Sequence, residues 1–331
     1  MSEPMKAVRF HGPRDLRLEM VPRPGPVGPD QVKVRIEAAG ICGSDLHVYS
    51  TGAWVKQPPM IMGHELAGTI IEVGSEVSGL HPGEQVVADS RVACGQCDQC
   101  RRLRPNLCRD LGFLGEVQPG AYAEEIVLPA AGLIGISADV PIQAAVLAEP
   151  LAVAIHALRQ AVVEDSSRVL ILGAGPIGAL ILETACLEGW SQVTCLELSP
   201  YRRRAIQAVH PEVIRDAPGG PYDLVFETTG STVVAGELVP KVMNKRGTLV
   251  MVGLFERPVP FDFNHVVENE WRIRGCSAFE SELEEAVVML EKHWPKLGWV
   301  VSHRWPLEKY QEAFELLTSP EKKALKVVLQ P

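Results

Sequence analysis

The chain has 331 residues, 46% of them hydrophobic and 22% charged, with a formal net charge of −9: an ordinary globular composition, long enough for one or two full-sized cores. The negative balance argues against nucleic acid or an anionic membrane surface as partner. Eight cysteines are too sparse for a disulfide-stapled secreted scaffold, Met1 to Gly12 lacks the apolar stretch of a signal peptide, and no window reads as the ~20 apolar residues of a membrane helix, so a cytoplasmic, reducing location is expected.

In chain order, the proline-rich stretch Val21 to Pro29 reads as a connector. Val32, Val34 and Ile36 then alternate with Lys33, Arg35 and Glu37 at strand period. Ala67 to Val73 and Gln85 to Ala88 are further short apolar strands. Among them, Cys42-Gly-Ser44-Asp-Leu-His47 and Gly63-His64-Glu65 set a thiolate, an imidazole and a carboxylate in glycine-rich loops. These are donor types suited to a catalytic zinc with an open position. Singly, His64 reads as an ordinary polar residue and Cys42 as a small buried hydrophobe; the combination favours metal.

Cys94, Cys97, Cys100 and Cys108 follow with the spacing Cys-x2-Cys-x2-Cys-x7-Cys. Thiolates on adjacent tight turns can converge on one cation, and a closed four-thiolate zinc site is structural, clamping a loop without apolar periodicity. The competitors are disulfides or free thiols and an iron–sulfur cluster, although the ferredoxin run closes after three residues with Cys-Pro, whereas here Arg109 follows Cys108. The basic residues Arg101, Arg102, Arg104 and Arg109 in this lobe read as a solvated or subunit-contact face.

From Ala144 the texture changes. Ala144 to Ala161 carries apolar residues at helical spacing, and beyond Arg168 buried-strand runs alternate with helical patterns, the signature of a parallel sheet flanked by helices. The strand Val169 to Leu172 runs into Gly173-Ala-Gly175-Pro176-Ile177-Gly178 and a helix over Ala179 to Glu188. The glycines allow a tight turn, a close backbone approach to a pyrophosphate and close helix–strand packing. A second strand, Gln192 to Leu196, ends at Glu197, 19 residues beyond Gly178, where a carboxylate can bond the adenosine ribose. Asp223 to Thr228, a helix about Val233 to Met243 and the strand Gly247 to Val252 continue the pattern. Thr228, Gly230, Gly253 and Leu254 at the strand ends are candidate cofactor contacts. Glu197 favours NAD; Arg202, with Arg203 and Arg204, could neutralise the phosphate of NADP. His156, Cys186, Cys195 and Cys276 read as core.

With these motifs on one chain, the sequence resembles the zinc-containing medium-chain dehydrogenase/reductase family over nearly its whole length, nearest the sorbitol/polyol and threonine dehydrogenase branches. The residues that carry the likeness are Cys42-Gly-Ser44-Asp45, Gly63-His64-Glu65-Leu-Ala-Gly68, the four-cysteine lobe, Glu149-Pro150-Leu151 and the glycine run. The resemblance implies an α/β protein: a mainly-β GroES-like catalytic domain over 1–151 and 277–331, with a structural zinc lobe at about 90–110, and a doubly wound Rossmann domain over 152–276, the active site lying in the cleft between. It implies two zincs per chain. Cys42, His64, Glu65 and Glu149 would serve the catalytic one, the two glutamates ligating directly, through water or in exchange, while Ser44 and His47 relay the substrate proton. The implied reaction moves a hydride between a secondary alcohol of a polyol, sugar derivative or amino alcohol and NAD(P). Alternatives are a simple alcohol dehydrogenase or aldehyde reductase, and a non-catalytic NAD-responsive binding protein. There are two departures: Gly83-Glu84-Gln85-Val86 for the usual Gly-Asp-Arg-Val, which bears on stability more than chemistry, and a shortened Cys42–His64 loop containing Trp54, which leaves substrate choice open. A homotetramer or homodimer is implied, with sheet edges available near Met251 to Phe255.

Overall fold

The computed structural model describes residues 3–161, 167–215 and 217–331, and the chain divides into two compact units. One runs to Glu149 and resumes at Leu283–Pro320 and Lys326–Pro331; the other is Pro150–Glu282 with Glu321–Leu325. The sequence placed these breaks at 151/152 and 276/277 and did not foresee the short return of Glu321–Leu325.

The first unit is built on a sheet ordered Leu133–Gly135, Gln85–Ala88, Glu65–Val73, Gln31–Gly40, Lys326–Gln330, Val301–Pro306, with Glu125–Pro129 also paired to Gln31–Gly40. Alternation along Gln31–Gly40 buries Val32, Val34 and Ile36 and leaves Arg35 exposed, as period-two patterning requires. Its far end positions the site. Gly40 is paired with Glu65 on one side and with Val328 on the other, and Ile41 N–H donates to Val327 O at 3.0 Å. Cys42, Glu65 and Lys326 are thereby delivered from three adjacent backbones.

The second unit is a six-stranded, all-parallel sheet in the order Ile214–Arg215, Val193–Leu196, Val169–Leu172, Tyr222–Glu227, Met243–Met251, Arg272–Gly275. Numbered along the chain this is 3-2-1-4-5-6, the doubly wound dinucleotide order. Leu170, Leu172, Val225 and Leu249 form its interior with Trp271. Two expectations are corrected, at the sheet edge and at the apolar segment Ile142–Arg159. Met243–Met251 is an interior strand, and the edge is the exposed Arg272–Gly275, whose Arg-Ile-Arg-Gly sequence carries no apolar run. The helix expected about Val233 to Met243 is present: 232–242 is continuously helical, with a π segment at Val234–Leu238 that leads into Val239–Val242. The 18-residue segment Ile142–Arg159 is long and apolar enough to cross a membrane, contrary to the sequence reading, but it is mostly buried within the protein, so its apolarity serves the core.

Candidate active site and cofactor site

Cys42 caps the N-terminus of helix Gly43–Thr51, and Asp45 at the third position accepts the Cys42 N–H at 2.8 Å, closing a capping box. The same Oδ2 accepts the Tyr122 hydroxyl at 2.8 Å, while Oδ1 lies 3.6 Å from His64 Nδ1. Asp45 therefore orients both the thiol-bearing loop and the imidazole. The other ring nitrogen of His64, Nε2, is 3.5 Å from Ser44 Oγ. Donor atoms of Cys42, His64 and Glu65 all lie within 4.8 Å of one another. Glu149 stands outside that set and accepts a 2.7 Å bond from the Ser90 hydroxyl. His47 is not joined to Ser44 by a hydrogen bond among the described residues; its ring packs on Trp54 at a centroid distance of 4.8 Å. The implied proton relay is thus not a direct contact between those two side chains.

Within the donor set His64 is 6% exposed and Glu65 0%, while Cys42 is half-buried; Glu149 beside the set is 6% exposed. Burial opposes charge on His64, yet Asp45 and Cys42 outweigh it and hold the imidazole pKa well above its usual value. Burial pushes the Glu149 carboxyl up, with Glu65 adding to the effect. Glu65 Oε1 accepts the Lys326 ammonium at 2.6 Å, whereas its Oε2 is buried with no partner among the described residues. An unsatisfied carboxylate oxygen beside a thiol and an imidazole is what a divalent cation would complete, so this set fits zinc.

In the lobe, Cys97 Sγ lies 3.5 Å from Cys100 Sγ and 4.0 Å from Cys108 Sγ, and all four sulfurs are mutually within 4.8 Å. A tetrahedral four-thiolate zinc with Zn–S ≈ 2.3 Å has sulfur–sulfur edges of ~3.8 Å, so the spacing fits. Amides of Cys100 and Arg109 bring the Cys97 thiol down to about 6, while burial and neighbouring thiols push Cys100 up to about 12. Four thiols this close cannot all ionise without a counter-charge. Of the basic residues, Arg109 pairs with Asp98 at 2.9 Å on the surface.

At the glycine turn, Gly173 has φ +93°, and a Cβ on Gly178 would sit 2.0 Å from Gly173 O. Strand and helix Pro176–Leu187 meet there without room for a side chain. A Cβ on Gly175 would meet only Arg202 Nη1, at 3.6 Å; that open face is a cradle a pyrophosphate could occupy at the helix N-terminus. Glu197 accepts Ala174 N–H at 2.8 Å and Ser199 N–H at 2.7 Å. Arg202 is tied by Nε to Ala324 O at 2.8 Å. The Thr228 hydroxyl donates to Leu172 O and Gly173 O, so it braces the turn. Gly253 packs against Gly230 N and Glu227, and Leu254 is exposed at the rim.

Sequence reasoning missed Lys326, Tyr122, Ser90 and the orienting role of Asp45. The usable signal for Lys326 was a lone charge inside the apolar run Ala324 to Leu329. It also missed Glu116, whose carboxyl burial raises to about 7 near His64 and Asp45.

Residues 28–138 match the alcohol dehydrogenase GroES-like domain and residues 176–292 the zinc-binding dehydrogenase domain. The chain is 30% identical to sorbitol dehydrogenase of Bacillus subtilis (strain 168), covering 99% of this chain and 97% of that one. It is 31% identical to L-threonine 3-dehydrogenase of Anaeromyxobacter dehalogenans (strain 2CP-C), covering 88% and 89%. A Sinorhizobium meliloti 1021 protein described as a zinc-binding dehydrogenase, solved with NADP bound, superposes with a TM-score of 0.92 at 27% identity over 100% of both chains. The chain belongs to the zinc-containing medium-chain dehydrogenase/reductase family.

Proposed function

We propose that the protein is a zinc-dependent dehydrogenase that oxidises a secondary hydroxyl of a polyol, sugar derivative or amino alcohol to the ketone, with NAD as hydride acceptor. The observation that carries this reading is the convergence of Cys42, His64 and Glu65, with the buried Glu65 Oε2 unpartnered among the described residues, in a chain that also builds a dinucleotide turn. Relatives named for sorbitol and threonine support a secondary alcohol with polar neighbours.

Cys42, His64 and Glu65 would hold the catalytic zinc, and the four cysteines of the lobe a structural one. The bound ion would supply Lewis acidity that lowers the pKa of a substrate hydroxyl, and the nicotinamide would supply the hydride acceptor. Ser44, 3.5 Å from His64 Nε2, would take the substrate proton; His47, on the same helix but not bonded to Ser44 among the described residues, would pass it on through an intervening group. Burial around Glu65 and Glu149 keeps bulk water from the donors and strengthens every charge interaction there. Glu197 supports NAD, because a carboxylate there would repel a ribose phosphate. Arg202 and the NADP-bound relative favour a second reading, NADP.

We place the protein in the cytoplasm. We also infer a homodimer or homotetramer, with the exposed strand Arg272–Gly275 offering unpaired backbone for self-association. Light scattering during gel filtration tests the latter. The decisive experiment is a panel of sugar alcohols, threonine and short alcohols with each nicotinamide, followed by the absorbance of the reduced cofactor. Turnover of polyols or amino alcohols that stops on removal of metal is expected. Bound cofactor with no turnover of any alcohol would support a binding protein instead.

A further inference from the structure

We propose that Lys326 is a positioning residue for the catalytic metal. Its ammonium fixes Oε1 of Glu65, so that Oε2 is presented as the donor and Glu149 is left outside the donor set. The inference rests on the reading of Cys42, His64 and Glu65 as a metal site.

Lys326 is 2% exposed and Glu65 0%, and lysine is almost never buried this far without a partner. Its Nζ donates to Glu65 Oε1 at 2.6 Å and to Ile41 O at 3.0 Å, the residue just before Cys42. One ammonium thus grips both the carboxylate and the loop that carries the thiol. The strand Lys326–Gln330 leaves it no other place, because Val328 is paired with Gly40 and Gly40 with Glu65.

A buried ion pair serving only the fold would engage both carboxylate oxygens. Here Oε2 has no partner among the described residues and occupies the space beside Gly40, where a Cβ would lie 2.0 Å away. The backbone is thus cut away to let the carboxylate take this orientation. Glu149, by contrast, is held by Ser90.

Positioning and charge compensation predict opposite results. Removing a positive charge from an anionic donor set would by itself tighten zinc binding, whereas releasing Glu65 weakens it. The test is Lys326→Met, E65Q and the double variant. Zinc at both sites is followed by competition with a chromophoric chelator, and the visible spectrum is taken with Co(II) in the catalytic site. Expected are one retained zinc per chain in the cysteine lobe, a 10- to 100-fold loss of affinity at the second site, the scale for partners that orient a ligand, and a changed Co(II) spectrum. Adding K326M to E65Q should change affinity less than about twofold, since no carboxylate remains to be positioned.

Tighter or unchanged binding with a superimposable Co(II) spectrum would overturn the proposal. So would an equal loss in both backgrounds. If K326M does not fold, K326R carries the test: moving the donor must shift the Co(II) spectrum, and an unshifted spectrum refutes positioning. A wild-type protein that never binds a second metal would instead sink the underlying reading of the site.

Discussion

Replacing Asp45 with Asn removes one charge and almost no volume, at a residue 4% exposed. Oδ2 accepts Cys42 N–H and the Tyr122 hydroxyl, each at 2.8 Å; both bonds are kept if the amide oxygen takes that position. The amide NH2 then faces His64 Nδ1, which lies 3.6 Å from Oδ1. Two donors oppose each other unless the imidazole moves its proton to Nε2, the nitrogen beside Ser44 and the one left to bind metal. Losing the correct tautomer and its carboxylate partner costs roughly 10- to 100-fold in metal affinity, about 1.4–2.7 kcal/mol. The helix cap survives, so thermal stability should fall by less than about 1 kcal/mol. Chelator competition separates the two zincs: the lobe site should be unchanged and the second weakened. Wild-type affinity at the second site, or equal loss at both, would refute the tautomer argument.

Four further outcomes are expected. Cys97→Ser should leave one zinc per chain and open 91–113 to limited proteolysis while cofactor binding, measured by fluorescence of the reduced nicotinamide, persists. Gly178→Ala places a Cβ 2.0 Å from Gly173 O and should destabilise the nucleotide unit by roughly 3 kcal/mol. Gly175→Ala, with only Arg202 Nη1 at 3.6 Å, should fold normally yet lose cofactor affinity at least about tenfold with zinc content unchanged. Glu282 is bonded by His156 at 3.0 Å, by Arg159 at 2.9 Å and by the amides of Glu280 and Ser281. Burial alone would raise its pKa, but these bonds outweigh it and hold the carboxyl down to about 2, against an ordinary 4.5. Its contribution is therefore present above pH ~4.5 and lost as pH falls through about 2. E282Q should cost about 2–3 kcal/mol at pH 7 and little near pH 2 by denaturant titration; an equal cost at both would exclude the charged bonds as its source.

What could be read in the sequence follows from where the information lies. The glycine turn and the four-cysteine lobe are local: spacing within a few residues sets the geometry, so Gly173 to Gly178 and Cys94 to Cys108 were legible as units. Buried parallel strands were legible for the same reason, since Val169–Leu172 and Tyr222–Glu227 are dense in apolar residues. The edge strand Arg272–Gly275 was not, because half-exposed pairing leaves no apolar signature. Nor was the Lys326–Glu65 pair, which spans 261 positions and exists only because two strands flank Gln31–Gly40. Glu149 was legible through family likeness alone, and that likeness could not say which carboxylate faces the metal; the register at Gly40 brings Glu65 into the set.

The central claim, that thiol, imidazole and carboxylate from Cys42, His64 and Glu65 grip a metal distinct from the one in the cysteine lobe, is tested most directly by counting zinc per chain in the wild-type protein and in His64→Ala. The account predicts two and one, with both proteins folded and still able to bind the nicotinamide cofactor. Two zincs retained in His64→Ala, or one in the wild type after saturation with zinc, would contradict it.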